Sequence, residues 1–158
     1  MRIKGFTLSG LFLLLTIMKL SISCSSEACL ESTVATVKAS FYKTGTDIPS
    51  TIDSLTIFGA GNDSTKIYDN AKKVSKITLP LNTSYGSSKF VLVINNITDT
   101  LVLYYTNYPY LISSECGISF FSTLDPNKYY VYGNRVDTII FKNNNITTFD
   151  EENIRIFY

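Results

Sequence analysis

The 158-residue chain contains no histidine and no tryptophan, and it has only three cysteines and four prolines. The absence of histidine excludes Ser-His-Asp triads, Cys-His nucleophile pairs, imidazole-based zinc sites and imidazole acid–base catalysis. The net charge is +1 with scattered Lys and Arg, which predicts no nucleic-acid partner. No glycine-rich loop of the phosphate-binding kind is present. We therefore expect a protein that is not an enzyme and needs no cofactor.

The first 23 residues have the pattern of a bacterial export signal. Arg2 and Lys4 precede a mostly apolar run at residues 5–18, which is shorter than the roughly 20 residues of a membrane-spanning helix. Small residues then lead to Cys24, as in a lipobox, although Ser21 stands where Leu is usual. We expect Cys24 to carry the lipid. The alternatives are a cleaved signal that leaves a plain thiol at Cys24 and an uncleaved anchor.

The other two cysteines, Cys29 and Cys116, lie far apart in the sequence. If Cys24 is lipidated, these two thiols remain, and two thiols in an oxidising compartment can form a disulfide. The alternative is a pair of buried free cysteines. The expected organisation is a signal peptide at residues 1–23, a lipid-anchored tether at residues 24–31 and one domain at residues 32–158.

Beyond Cys29 the apolar residues alternate with a period of two, which is typical of β-strands. Short segments rich in Val, Ile, Thr, Phe and Tyr are separated by Asn, Gly, Asp and Ser. They are residues 34–42, 54–59, 65–69, 74–81, 89–95, 99–105, 117–124, 135–142 and 153–158. This pattern predicts an all-β fold, an antiparallel β-sandwich of the immunoglobulin-like or a related kind, with about eight or nine strands. Residues 94–100 are predicted to form a hairpin with a loop of about four residues, and residues 142–153 a polar connector.

Tyrosines concentrate in the stretches "YYTNYPY" and "YYVYG". Their rings can stack on sugars while the hydroxyls form hydrogen bonds, and the nearby Pro109, Asn127 and Gly133 suggest turns that reach solvent. A ligand platform is one interpretation, and filling of a core without tryptophan is the other. The candidate platform residues are Tyr104, Tyr105, Tyr108, Tyr110, Tyr129, Tyr130 and Tyr132.

Acidic residues cluster twice, at Asp63 and Asp69 and again at residues 150–152. Neither cluster has the spacing of a known calcium loop. Solvated turns are the favoured interpretation, so no metal site is predicted, and a calcium ion held by loops is the alternative.

Four stretches stand in the order found in a family of small Bacteroidota lipoproteins of unknown function, which the chain resembles. They are "IDSLTIFG", "ITLPLN", "DTLVLYYTNYPYLISSECGISFFST" and "VDTIIFKNNNITTFDEENIRIFY". The resemblance implies an envelope lipoprotein with a compact β domain, and a cysteine near the mature N-terminus that could meet the cysteine of the Cys-Gly pair. It supplies no catalytic residues.

The resemblance also implies a function for one kind of triplet. In it, Asp is followed by Ser or Thr and then by an aliphatic residue or Thr. Such triplets are O-glycosylation sites in bacteria of this kind, and here they contain Ser54, Ser64, Thr100 and Thr138. The plainer interpretation is that each Asp ends a turn before a strand.

These observations together predict a non-enzymatic lipoprotein of the Gram-negative cell envelope, anchored in the outer membrane and facing the periplasm or the cell surface. Its role would be binding or structural, with a glycan or an envelope protein as partner and the membrane contacted through the lipid. One alternative is a lectin-like carbohydrate binder, with or without calcium. Another is a glycan hydrolase that uses a carboxylate pair.

We predict that replacing Cys24 with Ser removes the lipid. The thioether forms on the cysteine sulfur, so the intact mass of Cys24→Ser should lack the acyl groups that the wild-type protein carries. An unchanged acyl mass in the variant would refute lipidation at Cys24.

Overall fold

Ten β-strands make up the part of the chain that the computed structural model describes, residues 29–59 and 65–158. The predictions for Cys24, Asp63 and Ser64 lie outside these residues. The strands are β1 (Thr36–Tyr42), β2 (Leu55–Gly59), β3 (Lys66–Ala71), β4 (Lys76–Pro80), β5 (Ser87–Ile94), β6 (Ile97–Ser113), β7 (Gly117–Tyr132), β8 (Thr138–Phe141), β9 (Asn145–Ile146) and β10 (Ile154–Phe157). Residues Glu31–Tyr158 form one compact unit.

The strands form two sheets that enclose a common core. One sheet has four strands in the order β4-β1-β10-β8, and the other has six in the order β3-β2-β5-β6-β7-β9. Neighbouring strands are antiparallel except for β1 and β10, which are parallel. The prediction of an all-β sandwich is confirmed. Within residues 29–59 and 65–158, no helix has the length and apolarity to cross a membrane.

The predicted count of eight or nine strands is too low by at least one. The additional strand is β9, whose two residues pair with Ser122 and Thr123 of β7. It lies in the stretch predicted to be a polar connector. A strand this short shows no alternation over several residues, so the period-two pattern could not reveal it.

Alternation decides which side chains enter the core. In β1, Val37, Ala39 and Phe41 are buried, as the alternation predicts. In β6, the alternate residues Leu101, Leu103 and Tyr105 are buried in the same way. Because successive side chains point to opposite faces of a strand, the residues between them face away from the opposing sheet.

The connection between β5 and β6 is tighter than predicted. Ile94 pairs with Ile97, which leaves only Asn95 and Asn96 in the loop. Both asparagines have positive φ, 49° and 68°, as a type I′ turn requires at its two central positions. Asparagine tolerates this conformation better than most residues, so the pair closes the hairpin without glycine.

The hairpin of β6 and β7 is the longest element of the structure. Strand β6 has 17 residues and β7 has 16, and Pro109 lies within β6 paired with Phe120. The expectation that the chain turns at Pro109 is therefore wrong. The chain does leave the ladder near Asn127. Leu124 pairs with Tyr105 and Tyr129 with Leu103, so residues 125–128 form a bulge within β7, opposite Tyr104.

Asp99 is a buried carboxylate that fixes the path from β7 to β8. It is 1% exposed and accepts hydrogen bonds from the backbone N–H groups of Asn134, Arg135 and Val136 at 2.6–3.2 Å. Those residues carry the chain from the six-stranded sheet to the four-stranded sheet. Three donors that would otherwise be orphaned at the crossover are thus satisfied by one side chain.

Gly133 lies against the same carboxylate. Its φ is +139°, and a Cβ atom placed there would lie 2.0 Å from Oδ1 of Asp99. A side chain at this position would therefore meet both an unfavourable backbone conformation and a steric clash. The crossover needs glycine next to Asp99.

We predict that Asp99→Ala lowers the free energy of unfolding by about 3 kcal/mol or more, because it leaves buried N–H groups without acceptors. Urea denaturation followed by circular dichroism measures the change. The matched control is Asp53→Ala at an exposed aspartate, which should stay within about 0.5 kcal/mol of wild type. Equal stability of the two variants would contradict the role of Asp99.

Candidate ligand surface

The register of the long hairpin collects tyrosines on the outer face of the six-stranded sheet. Since Leu101 and Leu103 enter the core, Val102 and Tyr104 point the other way. Tyr130 pairs with Val102, and Tyr132 pairs with Thr100. Cross-strand partners share a face, so Tyr104, Tyr130 and Tyr132 lie on one surface.

These rings contact one another. Tyr104 and Tyr130 meet edge to face, with centroids 6.0 Å apart and planes at 78°. Tyr130 and Tyr132 are near parallel, with centroids 6.1 Å apart and planes at 23°. Lys128 places its ammonium nitrogen 4.4 Å from the centroid of Tyr104, within range of a cation–π interaction. We call Tyr104, Lys128, Tyr130 and Tyr132 the tyrosine face.

The outer two rings of the tyrosine face remain open to solvent. Tyr130 is 47% exposed and Tyr132 is 60% exposed. Tyr104 is half-buried and carries Lys128 over its ring. The face therefore offers two accessible rings and a positive charge beside them.

A second aromatic cluster lies further along the same strands. Tyr110 stacks on Phe121 with centroids 4.4 Å apart and planes at 12°, and Tyr108 meets Phe121 edge to face at 6.3 Å. Phe121 is buried, whereas Tyr108 and Tyr110 are partly exposed. The two tyrosines thus cover a phenylalanine, which gives them a packing role in addition to their exposed edges.

Two of the candidate platform residues belong to the interior. Tyr105 is 5% exposed, and its hydroxyl donates to the carbonyl of Asn82 at 2.9 Å and shares a hydrogen bond with Ser88 at 2.6 Å. Tyr129 packs against the core and against Phe141. The interpretation of Tyr105 as a platform residue is wrong, because its parity along β6 directs it inward.

The predicted O-glycosylation residues have different surroundings. Thr138 is exposed at the start of β8, and the half-buried Ser54 donates a hydrogen bond to Asn70 at 2.7 Å. Thr100 lies within β6 next to the buried Asp99. Modification at these positions stays a prediction.

The comparison with known proteins places the chain in a family without assigned activity. The family of unknown function DUF6452 matches residues 54–158. The chain belongs to this family. No curated protein matches the chain, and no solved structure matches it. The match begins one residue before β2 and includes the tyrosine face. The Bacteroidota origin and lipoprotein nature implied by the resemblance stay predictions.

Asp150 and Glu152, which lie inside the DUF6452 match, line a cleft of about 130 Å³ together with Lys76 and with Lys38, which precedes the match. This is small beside the roughly 300–1,000 Å³ of typical ligand pockets. Glu152 accepts hydrogen bonds from Arg155 at 2.7 Å and from Tyr42 at 3.1 Å. Burial raises the pKa of Glu152, but hydrogen bonds from neighbouring side chains, Arg155 foremost, outweigh it and lower the pKa overall.

A glycosidase acid needs the opposite environment, one that keeps its carboxyl protonated. The geometry at Glu152 therefore gives the hydrolase alternative no support. In the described part of the DUF6452 chain, no group of three or more Cys, Asp or Glu side chains could hold a metal ion. Asp69 instead forms an ion pair with Lys66 at 2.9 Å.

The predicted disulfide joins Cys29, which precedes the family match, to Cys116, which lies within it. Cys29 and Cys116 are both disulfide-bonded, and the two lie at disulfide distance from each other. The alternative of two buried free cysteines is wrong.

Sequence reasoning missed two residues that shape this surface. Lys128 completes the tyrosine face, and Asp99 supports the strand that carries it. The stretch "DPNK" is the sequence signal that could have revealed Lys128, because it forms the bulge of β7 in which Asp125 accepts the backbone N–H of Asn127 at 3.0 Å. No local pattern marks Asp99, because its partners lie more than 30 positions away.

We predict that Tyr105→Phe lowers the free energy of unfolding by about 1–2 kcal/mol at neutral pH, because the hydrogen bonds of the buried hydroxyl with Asn82 and Ser88 are lost. Burial raises the pKa of Tyr105 above its ordinary value of 10.0, although hydrogen bonds from Ser88 and Asn82 oppose the shift. A raised pKa means that this contribution is complete below pH 10 and is lost as the pH rises through the folded-state pKa.

Wild type should therefore lose more stability than Tyr105→Phe between neutral and strongly alkaline pH. Urea midpoints measured across that range test this, with the exposed Tyr85→Phe as the matched control. Identical alkaline profiles for wild type and Tyr105→Phe would contradict the buried position of the hydroxyl.

Proposed function

We propose that this protein is a non-catalytic binding module of the bacterial cell envelope and that its tyrosine face binds a carbohydrate. The observation that carries the proposal is the pair of accessible, near-parallel rings of Tyr130 and Tyr132, at 6.1 Å and 23°. Exposure of this apolar ring surface to water is unfavourable, and a bound ligand would cover it. Tyrosine suits a wet, flat binding surface because the ring stacks while the hydroxyl forms hydrogen bonds.

The chemistry of the tyrosine face favours a sugar over a purely apolar partner. The three tyrosines supply hydroxyl groups, and Lys128 supplies a cation beside the rings. Glycans present apolar C–H faces edged with hydroxyls, and many bacterial glycans also carry carboxylates that an ammonium group would attract. An acidic or mixed polysaccharide fits this combination best.

The absence of histidine and the hydrogen bonds that Glu152 accepts from Arg155 and Tyr42 support binding rather than cleavage. A carboxylate whose pKa is lowered, with Arg155 donating to it, is a poor general acid. The shallow outer face of the sheet also lacks the enclosed cavity in which catalytic groups are usually desolvated.

The proposed location of the protein in the cell envelope is argued mainly from the sequence. The short apolar run before Cys24 supports export with a lipid on that cysteine, and the disulfide-bonded state of Cys29 and Cys116 fits an oxidising compartment. The proposed site of action is the outer membrane of a Gram-negative bacterium, on its periplasmic face or on the cell surface. Glycans attached at Ser54 or Thr138 would belong to the same setting.

We predict that Tyr130→Ala and Tyr132→Ala each weaken glycan binding by roughly twofold to tenfold, the equivalent of about 0.5–1.5 kcal/mol for one aromatic contact. An array of bacterial polysaccharides identifies a bound glycan, and titration calorimetry with that glycan then measures the affinities. Tyr85→Ala is the matched control, since Tyr85 is 67% exposed and lies outside the face.

Circular dichroism of all three variants should match that of wild type, because the altered rings are exposed. If no bacterial glycan binds, or if Tyr85→Ala weakens binding as much as the other variants, the proposal is wrong. Depolymerisation of a glycan that depends on one Asp or Glu would contradict the non-catalytic role.

A further inference from the structure

The far end of the β6–β7 hairpin exposes apolar side chains. Leu111 is 63% exposed, Ile118 is 68% exposed and Phe120 is 47% exposed. Leu111 pairs with Ile118, and Phe120 pairs with the neighbouring Pro109, so the exposed groups share one face of the hairpin. We call Leu111, Ile118 and Phe120 the apolar tip.

The apolar tip continues into a groove. An opening of about 400 Å³ is lined by Ile118 and Phe120 on one side and by Val34, Pro80 and Leu81 on the others. Val34 is itself 65% exposed. Exposed apolar side chains grouped together and rimmed by polar ones, here Thr33, Thr83 and Ser119, are typical of an interaction site.

The N-terminal segment approaches this end of the hairpin. The carbonyl of Thr33 accepts a hydrogen bond from the hydroxyl of Ser119, which lies between Ile118 and Phe120. Cys24, the proposed lipid site, precedes Thr33 by nine residues, a span of at most about 30 Å when fully extended. Strand β6, with 17 residues, is about 56 Å long. A lipid on Cys24 would therefore be attached within about 30 Å of this end of the hairpin.

The charges around the apolar tip indicate which kind of contact it makes. Residues 29–35, 80–86 and 106–124 contain no Lys or Arg, and their only acidic residues are Glu31 and Glu115. Attraction to anionic lipid headgroups needs basic side chains, so charge would not draw this surface to a membrane. Burial of apolar groups at the headgroup boundary does not depend on charge.

We propose that the apolar tip is a membrane-docking surface that inserts into the lipid bilayer beside the anchor. This proposal rests on the proposed lipid at Cys24. Aromatic residues near the tip fit the arrangement, since tyrosines are enriched at the membrane–water interface, and Tyr85 and Tyr110 are 67% and 49% exposed. Docking would hold the hairpin upright and keep Tyr104, seven residues before Leu111, about 23 Å from the inserted side chains. The tyrosine face would then lie above the bilayer surface and remain open to its ligand.

The absence of tryptophan from the chain makes a direct test simple. Phe120→Trp places one fluorophore in the apolar tip, and Leu111→Trp is a second variant in case the first does not fold. Ile97→Trp is the control, because Ile97 is 44% exposed at the opposite end of β6. Each full-length lipidated protein is reconstituted into vesicles of phosphatidylethanolamine and phosphatidylglycerol, with and without dibrominated phosphatidylcholine.

The expected result is a blue-shifted emission from the Phe120→Trp or Leu111→Trp variant that brominated lipid quenches, with no quenching of the control. Because the contact is apolar, neither added salt nor the proportion of phosphatidylglycerol should change the quenching. Vesicle flotation is measured in parallel. Protein that floats without quenching at the tip overturns the docking surface and leaves the anchor intact, whereas protein that does not float overturns the lipid anchor itself. A blue shift that brominated lipid leaves unquenched, with a dimer in sedimentation, would assign the tip to a second copy of the chain and overturn the proposal.

Discussion

The buried carboxylate of Asp99 is the constraint on which the rest of the sandwich depends. One side chain in β6 accepts hydrogen bonds from the backbone of residues 134–136, where the chain leaves one sheet for the other. The guanidinium of Arg135 then lies 5.0 Å from the ring of Tyr158, which meets Phe41 edge to face at 5.9 Å. The carboxylate thereby joins the long hairpin, the crossover and the parallel pair of β1 and β10 in one packed region.

This constraint also explains how the tyrosine face is held. Strands β6 and β7 are fixed at one end by Asp99 and Gly133 and at the middle by Tyr105, whose hydroxyl binds the backbone of Asn82. Along β6 the residues between these points alternate strictly, so each inward anchor sets the outward position of its neighbours. A ligand surface built on a strand supported in this way is more rigid than one built on loops.

Much of the fold could be predicted from the sequence, because apolar and polar residues alternate along each strand that has one buried face. In β1, for example, the alternation places Val37, Ala39 and Phe41 on one face, and all three are buried. The same pattern predicted β6 and β7 to be shorter than they are. Proline usually ends a strand, but β6 continues through Pro109, which pairs with Phe120 of β7. The long-range contacts of Asp99 and the parallel pairing of β10 with β1 depend on residues that meet only in the folded chain.

The candidate surface was only partly predictable for the same reason. A run of tyrosines gives the residues but not their register, and Tyr105 and Tyr129 differ from Tyr104 and Tyr130 only in which face of the strand they occupy. The bulge at residues 125–128 further shifts the register of β7 against β6. Composition therefore identified the segments that carry the exposed tyrosines, and the pairing of Val102 with Tyr130 decided which rings reach solvent.

The central claim is that the outer face of the β6–β7 hairpin binds the ligand, and mapping by nuclear magnetic resonance tests it most directly. An envelope polysaccharide fraction would be titrated into isotope-labelled protein while the backbone amide signals are followed. Our account predicts shifts confined to Val102, Tyr104 and residues 128–132. Shifts centred instead on the cleft between Lys38, Lys76 and Glu152, or no shifts at any residue, would contradict it.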